Sequence, residues 1–429
     1  MHVLVVSQFY HPEMGAPAAR FGDLGQQLVQ AGHRVTVLTS FPNFPQGRVY
    51  PGFKQQVSQA ETIDGVHVVR TPILALGGQT PLRKAMLYAS FAVSSLVQGA
   101  LRRLDPDIVI GTTPPPTVGY VSWLLAKRFG VPHVLDVRDI WPEAVVAAGR
   151  VQAGPAVAAL ERLNRFVLER SAAVTTVSEG KRARLLELGA RPGTVAVLPN
   201  GVDLARFDAE AHAHEAEAAA LLRAAGVPAD KRLVVYAGVF NAPQGLDLVL
   251  DVARKRQATP GDRVHFALIG DGALRDHLQK RIADEGLRNV TIAGPVGRLL
   301  VPGLYRQAWA TLVILRPRKD LHTVPSKIYE SMASGRPVLL SADGEVVRIA
   351  QAAGCGPTSP SGDAAGLLAS MAALLADDAG AAAQGQAGRR YVEQFNDRTE
   401  LARRYEALLL RACNLPLADV PVQGQGRAP

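Results

Sequence analysis

Short apolar runs rich in β-branched residues alternate along this chain with helix-length amphipathic segments, and the alternation occurs twice. The first series predicts strands over Val3–Phe9, Arg34–Ser40, Val66–Arg70, Asp107–Gly111, Val131–Val137, Ala173–Ser178 and Val195–Pro199, with helices near Ala18–Gln30 and Val118–Arg128. Runs this short, spaced by helices, predict a parallel sheet covered on both faces. The rhythm breaks at Asn200-Gly201-Val202-Asp203, where a helical stretch rich in Ala, Glu and His occupies Ala209 to Leu222. It restarts with strands over Arg232–Val239, Val264–Gly270, Val290–Ala293, Leu312–Leu315 and Pro337–Ser341. The fold class is therefore α/β, with two doubly wound, Rossmann-like domains over 1–205 and 206–395, a last helix within 396–413, and a disordered tail over 414–429. Open α/β sheets bind ligands at the carboxyl ends of their strands. Two such domains facing each other create an inter-domain cleft, and the chemistry is expected there.

Composition narrows the partners. A chain of 429 residues, 48% hydrophobic and 20% charged, is globular and long enough for two domains. Cys355 and Cys413 are too few for a disulfide framework or a zinc site and fit a reducing compartment. The N-terminus enters a strand at once, without the basic region of a secretory signal, so a cytoplasmic protein is expected. The net charge of +9 is spread along the chain and aromatics are only 6%, which argues against nucleic acid and for anionic substrates or an anionic membrane surface. Ala85–Leu101 carries no charge and is bracketed by Arg83-Lys84 and Arg102-Arg103. It is shorter than the roughly 20 residues of a span, so a packed helix with one edge at lipid headgroups is expected, and peripheral contact with the inner face of the cell membrane. The histidines show no metal-ligand spacing, and Asp105-Pro106-Asp107 precedes a strand, so no metal is predicted.

The candidate chemistry lies after strands. Thr323-Val324-Pro325-Ser326-Lys327-Ile328-Tyr329-Glu330 follows an apolar strand and predicts a helix capped by Thr323, with Pro325 in its first turn. Such a terminus favours phosphate, Lys327 adds a cation, and Glu330 on the same face could accept from a ribose diol. An ordinary capped helix with a Lys327–Glu330 ion pair is the plain alternative. Gly238 ends one strand and leads to Gln244; Gly270-Asp271 ends the next, so permissive turns share that sheet edge. In the first half, Gly15 opens a helix and would let a ligand approach the backbone. The strand ending at Val137 runs into Arg138, Asp139, Trp141 and Glu143. There Trp141 could stack on a sugar, Asp139 or Glu143 could hold hydroxyls, and Arg138 could stabilise developing negative charge. An Arg–Asp pair fixing a loop is the structural reading of the same residues.

Val174-Thr175-Thr176-Val177-Ser178-Glu179, Val195 through Asp203, Phe207 and Gly32-His33-Arg34-Val35 resemble signatures of the family 4 retaining glycosyltransferases, which have the GT-B architecture. Arg138–Glu143 and Val324–Pro337 resemble the colanic-acid and O-antigen (fucosamine-type) branch. The resemblance covers about residues 1–412 and implies a nucleotide-sugar donor, UDP- or GDP-linked, held by the second domain through Gly238, Gln244, Gly270, Asp271, Thr323, Val324, Lys327 and Glu330. It implies a saccharide or lipid-linked saccharide acceptor held by the first domain through Gly15, Trp141 and Glu143, no cofactor, and a last helix, Arg398–Ala412, packing back on the first domain. Three positions depart from the family pattern: His322 stands where a sugar-contacting glutamate is usual, Gln244 where a lysine is usual, and Arg138 where a histidine is usual.

Together with the residues above, the resemblance implies a metal-independent, retaining glycosyltransferase of exopolysaccharide or O-antigen biosynthesis. Lys327 stabilises the leaving diphosphate, with Arg316 and Arg318 as helpers, and Arg138 and Asp139 act on the acceptor side. The departures at His322 and Gln244 motivate an alternative, a catalytically silent sugar-nucleotide-binding partner in a biosynthetic complex.

Overall fold

The computed structural model describes residues 1–13, 16–78, 80–143, 146, 154–317 and 321–415, so Gly15, Arg318 and the expected tail from 416 onward lie outside it. Among the described residues the chain divides into two compact units, one formed by residues 1–199 with 399–415, the other by Asn200–Arg398. The residues 200–205, assigned to the first domain by the sequence pattern, join the second unit. Val202 N–H donates to the Asn396 carbonyl (2.9 Å) and Arg398 N–H donates to the Val202 carbonyl (3.0 Å).

In the first unit the strands are β1 (His2–Val6), β2 (Arg34–Ser40), β3 (Gln59–Ile63), β4 (Val66–Thr71), β5 (Ile108–Thr113), β6 (His133–Val137), β7 (Ala173–Thr176) and β8 (Val195–Val197). They form one sheet in the order β3-β4-β2-β1-β5-β6-β7-β8. Every pairing is parallel except the β3–β4 hairpin at the edge, which the sequence pattern did not predict. The central strands β1, β5 and β6 are buried along their whole length, as two-sided coverage requires. The final helix, Arg398–Ala412, buries Tyr405 and Leu409 in the core of this unit, and its Glu406 carboxylate meets the His33 imidazole at 2.7 Å.

The second unit carries β9 (Arg232–Ala237), β10 (Val264–Ile269), β11 (Val290–Ala293), β12 (Ala310–Ile314), β13 (Val338–Ser341) and the short β14 (Thr358–Ser359), in the order β11-β10-β9-β12-β13-β14, all parallel. One cluster of buried apolar side chains covers each face of this sheet. The helix expected over Ala209–Leu222 is two helices, Leu204–Ala213 and Glu215–Ala224, broken at His214, where φ −108° and ψ 14° leave the helical range. Asp203 caps the first of them through the Arg206 N–H.

Candidate functional site

In the second unit the turns after β9 and β10 are packed backbone on backbone. Gly238 (φ +152°) donates its N–H to the Ile269 carbonyl at 2.9 Å, and Phe240 N–H donates to the Asp271 carbonyl at 2.8 Å. A Cβ on Gly270 (φ +145°) would lie 1.9 Å from the Gly238 carbonyl oxygen. The Asp271 carboxylate accepts from Gly272 N–H at 2.8 Å and so serves its own turn. A Cβ on Gly238, in contrast, would first meet Lys327 Nζ, at 2.6 Å. Gly270→Ala is therefore expected to lower the melting temperature of this unit more than Gly238→Ala, because a backbone carbonyl cannot swing aside as a lysine can. Equal losses in the two variants, read by thermal unfolding, would contradict that reading.

Lys327 gathers the neighbouring groups. Its Nζ donates to Tyr236 Oη and to Gln244 Oε1, each at 2.9 Å, and stands 4.0 Å from the centroid of the Tyr236 ring. Tyr236 Oη in turn donates to the Val239 carbonyl at 2.9 Å. Burial pushes the Lys327 ammonium down to about 7, against the pull of the Glu330 carboxylate. Gln244 closes a short turn, Ala242–Gln244, that ends at Gly245 (φ +65°). Arg316 lies against this glycine and donates its N–H to the Pro243 carbonyl at 3.0 Å. A lysine at position 244 would set two ammonium groups side by side, whereas the carboxamide oxygen accepts from Lys327 directly.

Thr323 does not cap a helix. The helix begins at Lys327 and runs to Ala333, after Ser326 in helical conformation, with Ile328 N–H bonded to the Pro325 carbonyl at 3.2 Å. Pro325 disfavours helical backbone at Val324, which removes the turn that a Thr323 cap would need. Lys327 therefore opens the helix itself. Val324 is buried, and His322 sits half-buried in the approach to the helix, after Leu321, whose carbonyl accepts from Glu345 N–H at 2.8 Å. Glu330 stands 3.8 Å from Arg298 Nη2, a different cation from the expected Lys327.

The first unit brings its candidates into a network of internal pairs. Arg138 is buried at the end of β6, and Lys181 Nζ donates to its carbonyl and to Asp139 Oδ1, the latter at 3.2 Å. Lys181 comes from the helix Glu179–Glu187, capped by Ser178. Glu143 takes three bonds from Arg184, 3.1 Å from Nε to each oxygen and 2.5 Å from Nη2 to Oε1, so its carboxylate is already committed to a guanidinium. Trp141 packs edge-on to Tyr88 at 6.2 Å, and its carbonyl accepts from Asn164. Of this group the Asp139 side chain is half exposed and Trp141 is half-buried.

One residue before Val137 stands a charge to which the sequence reading gave no role of its own. The Asp136 carboxylate is fully buried and accepts from Arg20 Nη2 (3.3 Å), Thr175 Oγ1 (2.7 Å) and Thr112 Oγ1 (3.1 Å). Arg20 also donates to the Leu198 and Pro199 carbonyls at 3.0 and 3.2 Å. Glu13 was passed over as well. It accepts from the N–H groups of Tyr10, Asn43 and Phe44 at 3.2, 2.6 and 2.8 Å, stapling the loop after β1 to the loop after β2. Burial nevertheless raises its carboxyl to about 7. A lone acid in a loop just past an apolar strand was the available signal for Glu13, and a tyrosine next to last in a buried strand was the signal for Tyr236. Among the described residues no group of three or more His, Cys, Asp or Glu side chains is placed to hold a metal ion.

An ammonium held between a hydroxyl and a carboxamide, against glycines that allow close approach, suits an anionic oxygen such as that of a phosphate. Known proteins point the same way. Residues 15–201 match the family described as glycosyl transferase 4-like domain, and residues 231–377 match glycosyl transferases group 1. The putative colanic acid biosynthesis glycosyl transferase WcaI of Escherichia coli (strain K12) is 28% identical over 348 residues, 80% of this chain and 84% of that protein. In fold, the chain is similar to sucrose-phosphate synthase from Thermosynechococcus elongatus, with a TM-score of 0.74 at 20% identity over 96% of this chain and 98% of the other. It is also similar to the Anabaena protein HepE in complex with UDP-glucose, with a TM-score of 0.69 at 15% identity over 96% of this chain and 100% of the other.

Proposed function

This chain belongs to the glycosyltransferases of GT-B type, and from that premise we propose that it moves a sugar from a nucleoside-diphosphate donor to a saccharide carried on a lipid, with retention, in the building of a surface polysaccharide. The relative WcaI is named for colanic acid biosynthesis, which supports the polysaccharide setting. HepE is described with UDP-glucose bound, which supports a nucleotide-sugar donor.

The observation that carries the reading is the placement of Lys327 Nζ beside Gly238, between Tyr236 Oη and Gln244 Oε1. The diphosphate lies along these turns, and its oxygens replace Gln244 as the partner of the ammonium. As the bond from the anomeric carbon to the phosphate oxygen breaks, its electron pair goes to that oxygen, and Lys327 stabilises the growing charge. The acceptor hydroxyl bonds to the anomeric carbon on the face the diphosphate leaves, and its proton goes to the departing phosphate oxygen. No metal and no side-chain nucleophile enters this route. Gly238, Gly270 and Asp271 shape the turns, Arg316 adds a second cation, Glu330 holds the ribose, and Val324 and His322 line the donor side. Asp139 and the Trp141 face serve the acceptor, with Lys181 holding Asp139.

Incubation with a panel of UDP- and GDP-sugars and a lipid-linked saccharide tests this. Acceptor-dependent release of nucleoside diphosphate with one donor, and a product whose anomeric configuration equals the donor's, is the expected result. Donor binding without release for any pair would replace catalysis with a sugar-nucleotide-binding role.

A further inference from the structure

The helix Pro81–Leu101 turns apolar side chains to solvent along its whole length. Its inward stripe is Leu87, Phe91, Ser95 and Gly99, one residue in four, and Gly99 sits so close to the core that a Cβ would lie 2.8 Å from Leu125 Cδ1. The opposite stripe is Leu82 (70% exposed), Met86, Val93 (64%), Val97 and Leu101 (78%). A surface helix ordinarily sets charged residues there. The patch widens on both sides. Leu74 and Leu76 are half exposed on a strap whose Leu74 N–H donates to Ser90 Oγ at 2.9 Å, and the exposed Val57 adjoins Ser58, which accepts from Arg102 at 2.9 Å. An apolar surface of this extent marks a docking face.

The charges around it choose the occupant. Arg83 and Lys84 stand at the start of the helix, Arg102 and Arg103 follow its end, and no Asp or Glu occurs from Val66 to Leu104. Both ends are cationic, so a second copy packed on this helix, parallel or antiparallel, would set cation against cation. A layer of anionic headgroups meets both ends at once and takes the apolar stripe between them. The inward stripe is pinned in the core, and among the described residues no single helix is long and apolar enough to cross a membrane.

We propose that this face docks on an anionic phospholipid bilayer, with the helix axis in the membrane plane and Met86, Val93 and Val97 at the level of the upper acyl chains. The inference deepens the lipid-linked acceptor reading above by naming the surface on which that acceptor is met. Its test contains no acceptor and no donor, so its failure is distinguishable from failure of that reading.

The full chain is floated with vesicles of phosphatidylcholine alone and of phosphatidylcholine with about one-third phosphatidylglycerol, an anionic fraction large enough to develop a negative surface potential. Flotation with the anionic vesicles, and its loss by tenfold or more in Val93→Glu/Val97→Glu, is the expected result. Leu101→Glu, at the most exposed position of the stripe, gives the same readout should the double variant fail to fold. Absence of flotation with the anionic vesicles overturns the proposal, as does equal flotation with both vesicles or flotation unchanged in these variants. A lipid-free dimer that Leu101→Glu dissociates would assign the face to a second copy instead.

Discussion

Lys327→Ala is expected to lower turnover about 10²- to 10³-fold, the usual cost of removing one preorganised group that stabilises transition-state charge. The partners of the side chain survive its loss, because Tyr236 Oη keeps its bond to the Val239 carbonyl and lies 3.3 Å from Gln244 Oε1. The melting temperature should therefore change little while nucleoside diphosphate release collapses. A pH series adds a signature that a merely structural lysine would not give. In the donor-free protein burial holds the ammonium near 7, so above that pH the group is largely neutral. A bound diphosphate favours the charged form, which raises the pKa in the complex. Below about pH 7 the site is already charged and affinity is flat; as pH rises above it, binding must take up a proton, and affinity falls by up to tenfold per unit. Titration of UDP by calorimetry between pH 7 and 9, in buffers of different ionisation enthalpy, reads this uptake. The slope should vanish in Lys327→Ala. Unchanged turnover in that variant would remove the residue from the phosphate site.

The parts of this site that sequence reasoning reached are those that local spacing determines. Gly238 and Gly270 follow strands buried throughout except at Arg232 and stand where the chain must turn, so their role in tight turns was legible. Lys327 was legible as a cation near a helix start, but its partner Gln244 is 83 residues away and Tyr236 is 91, and nothing in the spacing pairs them. The helix start itself was misplaced because a good capping residue, Thr323, outweighed the restriction that Pro325 puts on Val324. The edge strand β3 was missed because Gln-Ala-Glu-Thr-Ile lies at the sheet margin, with no residue fully buried and thus no apolar run to betray it. Glu143 illustrates the opposite error. A carboxylate near the end of a parallel strand is a reasonable sugar ligand until Arg184, 41 residues on, is found to hold it bidentately. The Lys327 and Glu143 cases share one kind of physics: side chains distant in sequence, whose meeting the fold decides.

The Arg20–Asp136 pair is the deepest instance, and Arg20→Ala is expected to cost the first unit about 3–5 kcal/mol. The Asp136 side chain is wholly shielded from water and Arg20 is only 13% exposed, so little solvent screening softens the loss. Two threonine hydroxyls remain on the carboxylate after the change, but neither brings a charge. The Leu198 and Pro199 carbonyls, where the chain leaves the first unit, lose their donor in the same step. With two compact units a single unfolding free energy is not defined, so the readout is the transition assigned to the first unit by a domain-specific probe. For a unit of this size that cost corresponds to a fall of roughly 10 °C in melting temperature. Arg20→Lys should recover part of it, since it restores the charge but cannot reach the carboxylate and both carbonyls with one planar fork. Asp136→Asn combined with Arg20→Ala should be milder than Arg20→Ala alone, because no buried charge is left behind. A loss below about 1 kcal/mol in Arg20→Ala would mean that the threonine hydroxyls alone sustain the carboxylate.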